Sequence, residues 1–213
     1  MAIETMEDLL VHELRDLLNA ERQLVKALPK MANAAVSPEL AEAFQDHLAE
    51  TEDQVARLEE CLTIMGQATR GKKCAGMEGL IEEAEDIVDE VEDDAVLDAA
   101  IIGAAQRVEH YEIAAYGTAR AFAIQLGLNE VADLLSTTLE EESAANEKLT
   151  AIAEAGVNAE AEAGEMAEEE MEGSNGNGNA RRKASGGSST SRSKGRKSGS
   201  RRDRSQTTPS TRH

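Results

Sequence analysis

The chain has 213 residues, enough for one domain with extensions, and an aromatic content of 2% with no Trp argues against an aromatic-rich β-sandwich. Its net charge of −20 is unevenly placed, because residues 181–213 contain 11 Lys/Arg and one Asp whereas the remainder contains 11 Lys/Arg and 41 Asp/Glu. The first residues do not form a basic segment followed by an apolar one, and no stretch approaches the roughly 18 apolar residues of a membrane span, so we expect a cytoplasmic protein without membrane contact.

The first two predicted helices form an antiparallel pair. Thr5, with an acid three residues later, resembles a capping box at the start of a helix that extends to about Ala35. Ser37 and Pro38 are the residue types preferred at the N-cap and first position of a second helix, which extends to about Met65. Because the connection is so short, we expect these two helices to be neighbours.

A short acidic helix is predicted between the second and third long helices. It extends from Met77 to about Val91, and the third long helix then begins near Asp94 and ends at Gly127. Asn129 is expected to cap a fourth long helix.

Four long helices with one long crossover predict an all-α fold, the ferritin-like four-helix bundle, whose crossover contains a short extra helix. We expect this domain to occupy residues 1–157. Residues 158–213 form a tail that is first acidic and then polybasic, without apolar periodicity, and we expect it to be disordered.

Every long helix carries polar, metal-ligating side chains in the middle of its apolar stripe. These residues are Glu21 on the first helix, His47 and Glu50 on the second, Glu109 and Glu112 on the third, and Glu142 on the fourth. Residues at mid-helix lie at about the same height in a bundle, so the six side chains should converge. No Lys or Arg occupies the stripes at that height, and a buried carboxylate costs several kcal/mol unless it is paired or coordinates a metal.

Carboxylates and imidazole in a helical core are typical ligands of two divalent metal ions, iron or manganese. Five carboxylates carry five negative charges, of which two divalent ions would neutralise four. For any single Glu the alternative is a position at the edge of the stripe that reaches water. For His47 the alternative is a hydrogen-bonded core histidine. Convergence from four helices favours the metal site.

The sequence contains other reactive Tyr, His and Cys side chains that are not assigned as metal ligands. Tyr111 and Tyr116 could be redox-active neighbours of the site, although packing is the favoured role for Tyr116. His110 lies one residue off the stripe and is expected to support the site or to be on the surface. Cys61 and Cys74 are expected to be reduced thiols, with the first partly buried and the second in a loop.

Several segments together resemble the YciE/YciF family of bacterial stress-associated ferritin-like proteins. The central one is Val108-Glu109-His110-Tyr111-Glu112, and the others are residues 20–24, 28–31, 47–52, 71–74, 113–117 and 139–142. The resemblance covers about residues 5–155 and implies a rubrerythrin-like dinuclear metal site and a homodimer. In such a site we expect Glu50 and Glu142 to bridge the two metal ions. Glu21 and Glu109 would be terminal ligands, and Glu112 and His47 would be additional ligands.

The sequence departs from the general ferritin-like motif, which has Glu-x-x-His on two helices. The second helix has the reverse order, His47-x-x-Glu50, and the fourth has Glu142-x-x-Ala145 without a histidine. The expected site is therefore rich in carboxylate ligands and poor in nitrogen ligands. This ligand set makes manganese a more plausible metal, as an alternative to iron.

Two functions follow from these patterns. The first is a ferritin-like dinuclear metal-binding protein of the bacterial stress response, which handles metal redox chemistry or peroxide. The second is a non-enzymatic, stress- or DNA-associated helical dimer that uses residues 181–213 to contact nucleic acid without sequence specificity through counterion release. For that tail the alternatives are a solubilising role and contact with the acidic body of its own chain.

Overall fold

The computed structural model describes residues 3–163, and within that span every regular element is helical. The elements are α1 (Met6–Ala34), α2 (Pro38–Ile64), α3 (Ala75–Glu90), α4 (Asp94–Gln125), α5 (Asn129–Ile152) and a π-helical turn at Ala153–Val157. The prediction of an all-α bundle is confirmed. Helical backbone continues to residue 163, beyond the expected domain end at 157, and the rest of the expected tail lies outside the described residues.

Local side-chain caps place the starts of the first two helices. The Thr5 hydroxyl accepts from the Asp8 amide at 3.0 Å, and the Asp8 carboxylate accepts from the Thr5 amide at 3.0 Å, which is the predicted capping box. Ser37 caps α2 as predicted. The prediction for Asn129 is wrong, because Asn129 is the first residue of α5 and Leu128 precedes it without a capping side chain.

The four long helices pack as a bundle in which α1 lies against α2, α4 against α5, and both pairs against each other. The crossover helix α3 packs on α4 and α1. Gly127, at the end of α4, has a φ of +74°, a left-handed conformation that glycine adopts without steric cost.

Asp98 anchors the turn between α1 and α2. Its carboxylate is buried and accepts from the backbone amides of Val36 at 2.8 Å and Ser37 at 2.7 Å. The sequence pattern did not indicate this role, since the partners are 61 and 62 residues away along the chain.

The apolar core is divided into two clusters by a polar layer at mid-height. One cluster includes Leu24, Leu28, Leu40, Phe44, Ile101 and Ile152. The other includes Leu10, Leu14, Leu17, Leu58, Leu62 and Leu135. Burial of these side chains drives the assembly of the bundle and so forces the polar side chains between them out of water.

In the part of the chain that the structure describes, no helix combines the length and the apolar character that crossing a membrane requires.

Candidate metal centre

The polar layer brings together acids and one imidazole from the long helices. One potential ligand atom from each of His47, Glu109, Glu112 and Glu142 lies within 4.8 Å of the others, and all four residues are buried. Glu21 of α1 is also fully buried and is fixed to the layer through Tyr116. Five of the six residues expected at the site therefore lie inside the bundle.

The His47 ring faces the acids with one nitrogen and solvent with the other. Its Nε2 atom is 3.6 Å from Glu109 Oε1 and 3.7 Å from Glu142 Oε2. Its Nδ1 atom is 3.2 Å from Glu50 Oε2. When Nδ1 carries the proton and donates to Glu50, the lone pair of Nε2 points at the acids, which is the tautomer that binds a metal.

Glu50 lies outside the buried group, and its side chain is 49% exposed. This position differs from the bridging position that we expected. A separation of three residues rotates Glu50 by about 60° around α2 relative to His47. The rotation places Glu50 at the edge of the stripe. There its carboxylate can orient the imidazole through a hydrogen bond, but it lies on the side of the ring away from the buried acids. The His47–Glu50 hydrogen bond also lowers the pKa of Glu50 and keeps it ionised.

Several buried carboxylate oxygens in the layer have no hydrogen-bond partner among residues 3–163. They are one oxygen each of Glu21, Glu109 and Glu142, and both oxygens of Glu112. Buried acceptors are normally satisfied, so five unpaired oxygens in one layer need an explanation. A cation between them provides one, and the donor set of carboxylates with one imidazole suits iron or manganese. The residues present therefore fit a metal centre.

The acids also raise each other's pKa. Burial is the largest cause for every one of them, and it raises the pKa of Glu21 to about 8, with repulsion from Glu142 next. The pKa values of Glu109 and Glu112 lie well above the usual range for the same two reasons, burial and neighbouring carboxylates. For Glu142 burial raises the pKa, and His47 partly offsets the rise. Without a cation, burial and mutual repulsion therefore favour the protonated forms of these acids, and a pKa of about 8 keeps Glu21 mostly protonated at neutral pH.

Two neutral side chains hold the acids in place. Tyr116 is fully buried, and its hydroxyl donates to Glu21. Gln54 donates from Nε2 to Glu142, and also to Glu141 at 3.2 Å. Gln54 was not proposed as a site residue, although its place on the α2 stripe, one heptad after His47, was a usable signal. Its buried Oε1 atom has no partner in the described part of the chain and is a further potential ligand.

A cation does reach the edge of the layer. Arg57 of α2 makes two hydrogen bonds of 2.6 Å to the two Glu141 oxygens and one of 2.8 Å to Thr138. This paired geometry commits the guanidinium charge to Glu141. Arg57 also lowers the pKa of Glu21, but less than burial raises it. Among the described residues, no Lys or Arg forms an ion pair with Glu21, Glu109, Glu112 or Glu142, as expected from the stripes.

Other residues considered above lie away from the layer. His110 is exposed, with Nδ1 2.8 Å from the Gln106 carbonyl oxygen. The Tyr111 hydroxyl lies 2.9 Å from Cys74 Sγ and donates to Asp16 at 3.1 Å.

Cys74 lies in the loop where it was expected, directly before the first residue of α3. It is fully buried, and its side chain caps α3. Cys61 is also fully buried, and both cysteines are free. Burial raises the pKa of both thiols, that of Cys61 to about 12.

The architecture has known counterparts. A family model described as a domain of unknown function, DUF892, matches residues 5–162. Protein YciF of Escherichia coli strain K12 is 46% identical over 163 residues, which are 76% of this chain and 98% of that protein. The crystal structure of the E. coli stress protein YciF matches with a TM-score of 0.71 and 46% identity, over 73% of this chain and 99% of that one. YcfI from Rhodopseudomonas palustris matches with a TM-score of 0.68 and 49% identity, over 70% of this chain and 94% of that one. The chain therefore belongs to the DUF892 family, and its resemblance to the YciE/YciF proteins is confirmed.

Proposed function

We propose that this protein binds two divalent metal ions, iron or manganese, in the polar layer of the bundle. The observation that carries the proposal is the set of five unpaired, buried carboxylate oxygens in the layer where His47, Glu109, Glu112 and Glu142 converge. The residues that would hold the ions are Glu21, His47, Glu109, Glu112 and Glu142. In this proposal Glu50 orients His47 rather than bridging the ions.

When bound, such a pair of ions supplies redox chemistry toward a small oxidant such as peroxide. The protein's own contribution is preorganisation of the ligands. Glu50 fixes the tautomer of His47, Tyr116 holds Glu21, and Gln54 holds Glu142. The apolar clusters close the layer from above and below. The name of the E. coli relative as a stress protein supports a role in the stress response.

Metal content and stability test the proposal together. Purified protein would be repleted with Mn²⁺ or with Fe²⁺ under anaerobic conditions, dialysed, and analysed for bound metal. We expect about two ions per chain and a higher melting temperature, since a ligand that binds only the folded state stabilises it. Glu112→Gln removes a charged ligand with little change in shape and should lose at least one ion.

Glu140→Gln is the matched control, because Glu140 is an exposed acid on α5. It should keep both ions and the full melting shift. A wild-type chain that holds no metal after repletion, and melts at the same temperature with and without Mn²⁺, would show that the metal proposal is wrong.

We also propose a homodimer located in the cytoplasm, on the basis of the resemblance to the YciE/YciF family. Sedimentation velocity at several protein concentrations measures the oligomeric state. A single species with the mass of one chain at all concentrations would contradict the dimer.

The alternative function, contact with nucleic acid, is favoured by the charge of about +10 on residues 181–213, which lie outside the described residues. We expect the full chain to shift duplex DNA in a gel at low salt and to lose the complex as salt rises. A chain that ends at Gly173 is the control and should not shift it. Equal behaviour of the two chains would exclude this tail as the binding segment.

A further inference from the structure

A groove between α2 and α5, lined by charged and apolar side chains, leads from solvent to the candidate metal centre. It has a volume of about 400 Å³, and His47 and Glu109 lie among its lining residues. These are two of the residues whose ligand atoms converge in the layer. The groove therefore connects the buried centre with the surface.

Small side chains keep the groove open. Ala49 of α2 and Ala144 and Ala145 of α5 line it, and each contributes only a methyl group. Ala145 stands where a Glu-x-x-His motif on α5 would place its histidine. The place where such a motif would supply a histidine ligand is therefore open space beside the remaining metal ligands.

Acidic side chains line the rim of the groove, and among them Glu50 forms no ion pair with a Lys or Arg of the described residues. Asp46, Glu50 and Glu141 line it, and Glu50 lies between solvent and the His47 ring. Lys148 Nζ is 3.0 Å from Asp46 Oδ2 and joins α5 to α2 across the opening. The two side chains of this pair are 49% and 61% exposed, and exposed ion pairs of this kind are weak. The pair can therefore open at little cost.

A second cavity touches the same two residues from the other side of the bundle, between α1 and α3. It is smaller, about 40 Å³, and is lined mainly by apolar side chains such as Leu28, Phe44 and Ile81. On this path a hydrated divalent ion would lose water among apolar side chains before it reached His47 and Glu109, which is strongly unfavourable. The two cavities thus differ in the chemistry that they admit.

We propose that the groove between α2 and α5 is the route by which divalent cations enter the centre, with Glu50 as the rim carboxylate that adjoins the ligand His47. This inference rests on the proposed metal-binding function. In this route the small side chain of Ala145 leaves the groove wide enough for an ion. The Asp46–Lys148 ion pair spans the opening and closes it only weakly.

Filling the groove tests the route. Ala145→Leu narrows the groove from α5, and Ala49→Leu narrows it from the exposed face of α2 as a second variant. Ala27→Leu narrows the apolar cavity instead, since Ala27 lines that cavity only. All three exchanges cost little helix propensity, so the bundle should fold. Circular dichroism would check this before uptake is measured.

The readout is the rate of Mn²⁺ uptake by metal-free full-length protein, followed by stopped-flow with a fluorescent Mn²⁺ indicator. We expect both groove variants to slow uptake about tenfold or more while the final stoichiometry stays at the wild-type value. Ala27→Leu should load at the wild-type rate, and Lys148→Gln should load faster.

Wild-type uptake rates in both groove variants, or slow uptake in Ala27→Leu alone, would overturn the proposed route while leaving the metal site intact. Absence of Mn²⁺ binding in the wild-type chain would instead overturn the proposed function, and the route with it.

Discussion

Replacing Glu21 by glutamine tests whether the buried layer holds protons when no cation is bound. Glu21 is fully buried, and burial with repulsion from Glu142 raises its pKa from the ordinary 4.5 to about 8. The introduced amide would keep the shape of the side chain and would still accept from the Tyr116 hydroxyl, but it cannot ionise. The exchange therefore removes one titrating group and keeps the side-chain shape and the hydrogen bond from Tyr116.

The direction of the pH effect follows from the raised pKa. Below pH 4.5 Glu21 is protonated in both the folded and the unfolded chain and contributes nothing. Between pH 4.5 and about 8 the unfolded chain loses this proton while the folded chain keeps it, so the free energy of unfolding falls as pH rises. Above about pH 8 the contribution is constant.

The size of this fall is large for a domain of this kind. Each pKa unit is worth about 1.4 kcal/mol, so a pKa rise of about 3.5 corresponds to at most about 5 kcal/mol. Part of that rise comes from Glu142, so the coupled acids share the effect. Since whole domains are stable by roughly 5–15 kcal/mol, even half of it is measurable.

Urea unfolding of metal-free protein, followed by circular dichroism in buffer with chelator, provides the assay. Between about pH 5 and about pH 8 we expect the free energy of unfolding to fall for the wild type, and to fall less for Glu21→Gln by about 2–4 kcal/mol. Glu140→Gln should behave as the wild type. Equal falls for Glu21→Gln and the wild type would refute the reasoning, because Glu21 would then not be a buried, protonated acid.

Three further outcomes are expected. Tyr116→Phe removes the donor to Glu21 and should lower the free energy of unfolding of the metal-free protein by about 1–3 kcal/mol in urea titrations. Asp98→Ala leaves the amides of Val36 and Ser37 without their acceptor, and urea titrations should show a loss of about 1–3 kcal/mol, whereas an unchanged midpoint would contradict the anchoring role. Cys61 and Cys74 should react with a thiol reagent only as fast as the chain opens, and rapid labelling of folded Cys74 would contradict its burial.

Helix order and most helix boundaries could be predicted because they depend on contacts within one turn. The Thr5 capping box, the Ser37-Pro38 start of α2 and the left-handed Gly127 are all local features. The exception, Asn129, shows the limit of such signals, since a preferred residue type can lie inside the helix instead of capping it. Apolar periodicity also indicated which face of each helix is buried, and with it the mid-helix position of Glu21, Glu109 and Glu142.

The contacts that define the site depend on how the helices are rotated against one another, and only the tertiary structure decides that. Tyr116 meets Glu21 across 95 residues of chain, and Gln54 meets Glu142 across 88. His47 and Glu50 share a face in sequence, yet the rotation of α2 places one ring nitrogen toward the acids and the carboxylate toward solvent. A few tens of degrees of rotation, set by the packing of the two apolar clusters, determine whether a stripe residue is a potential ligand or a residue that orients one.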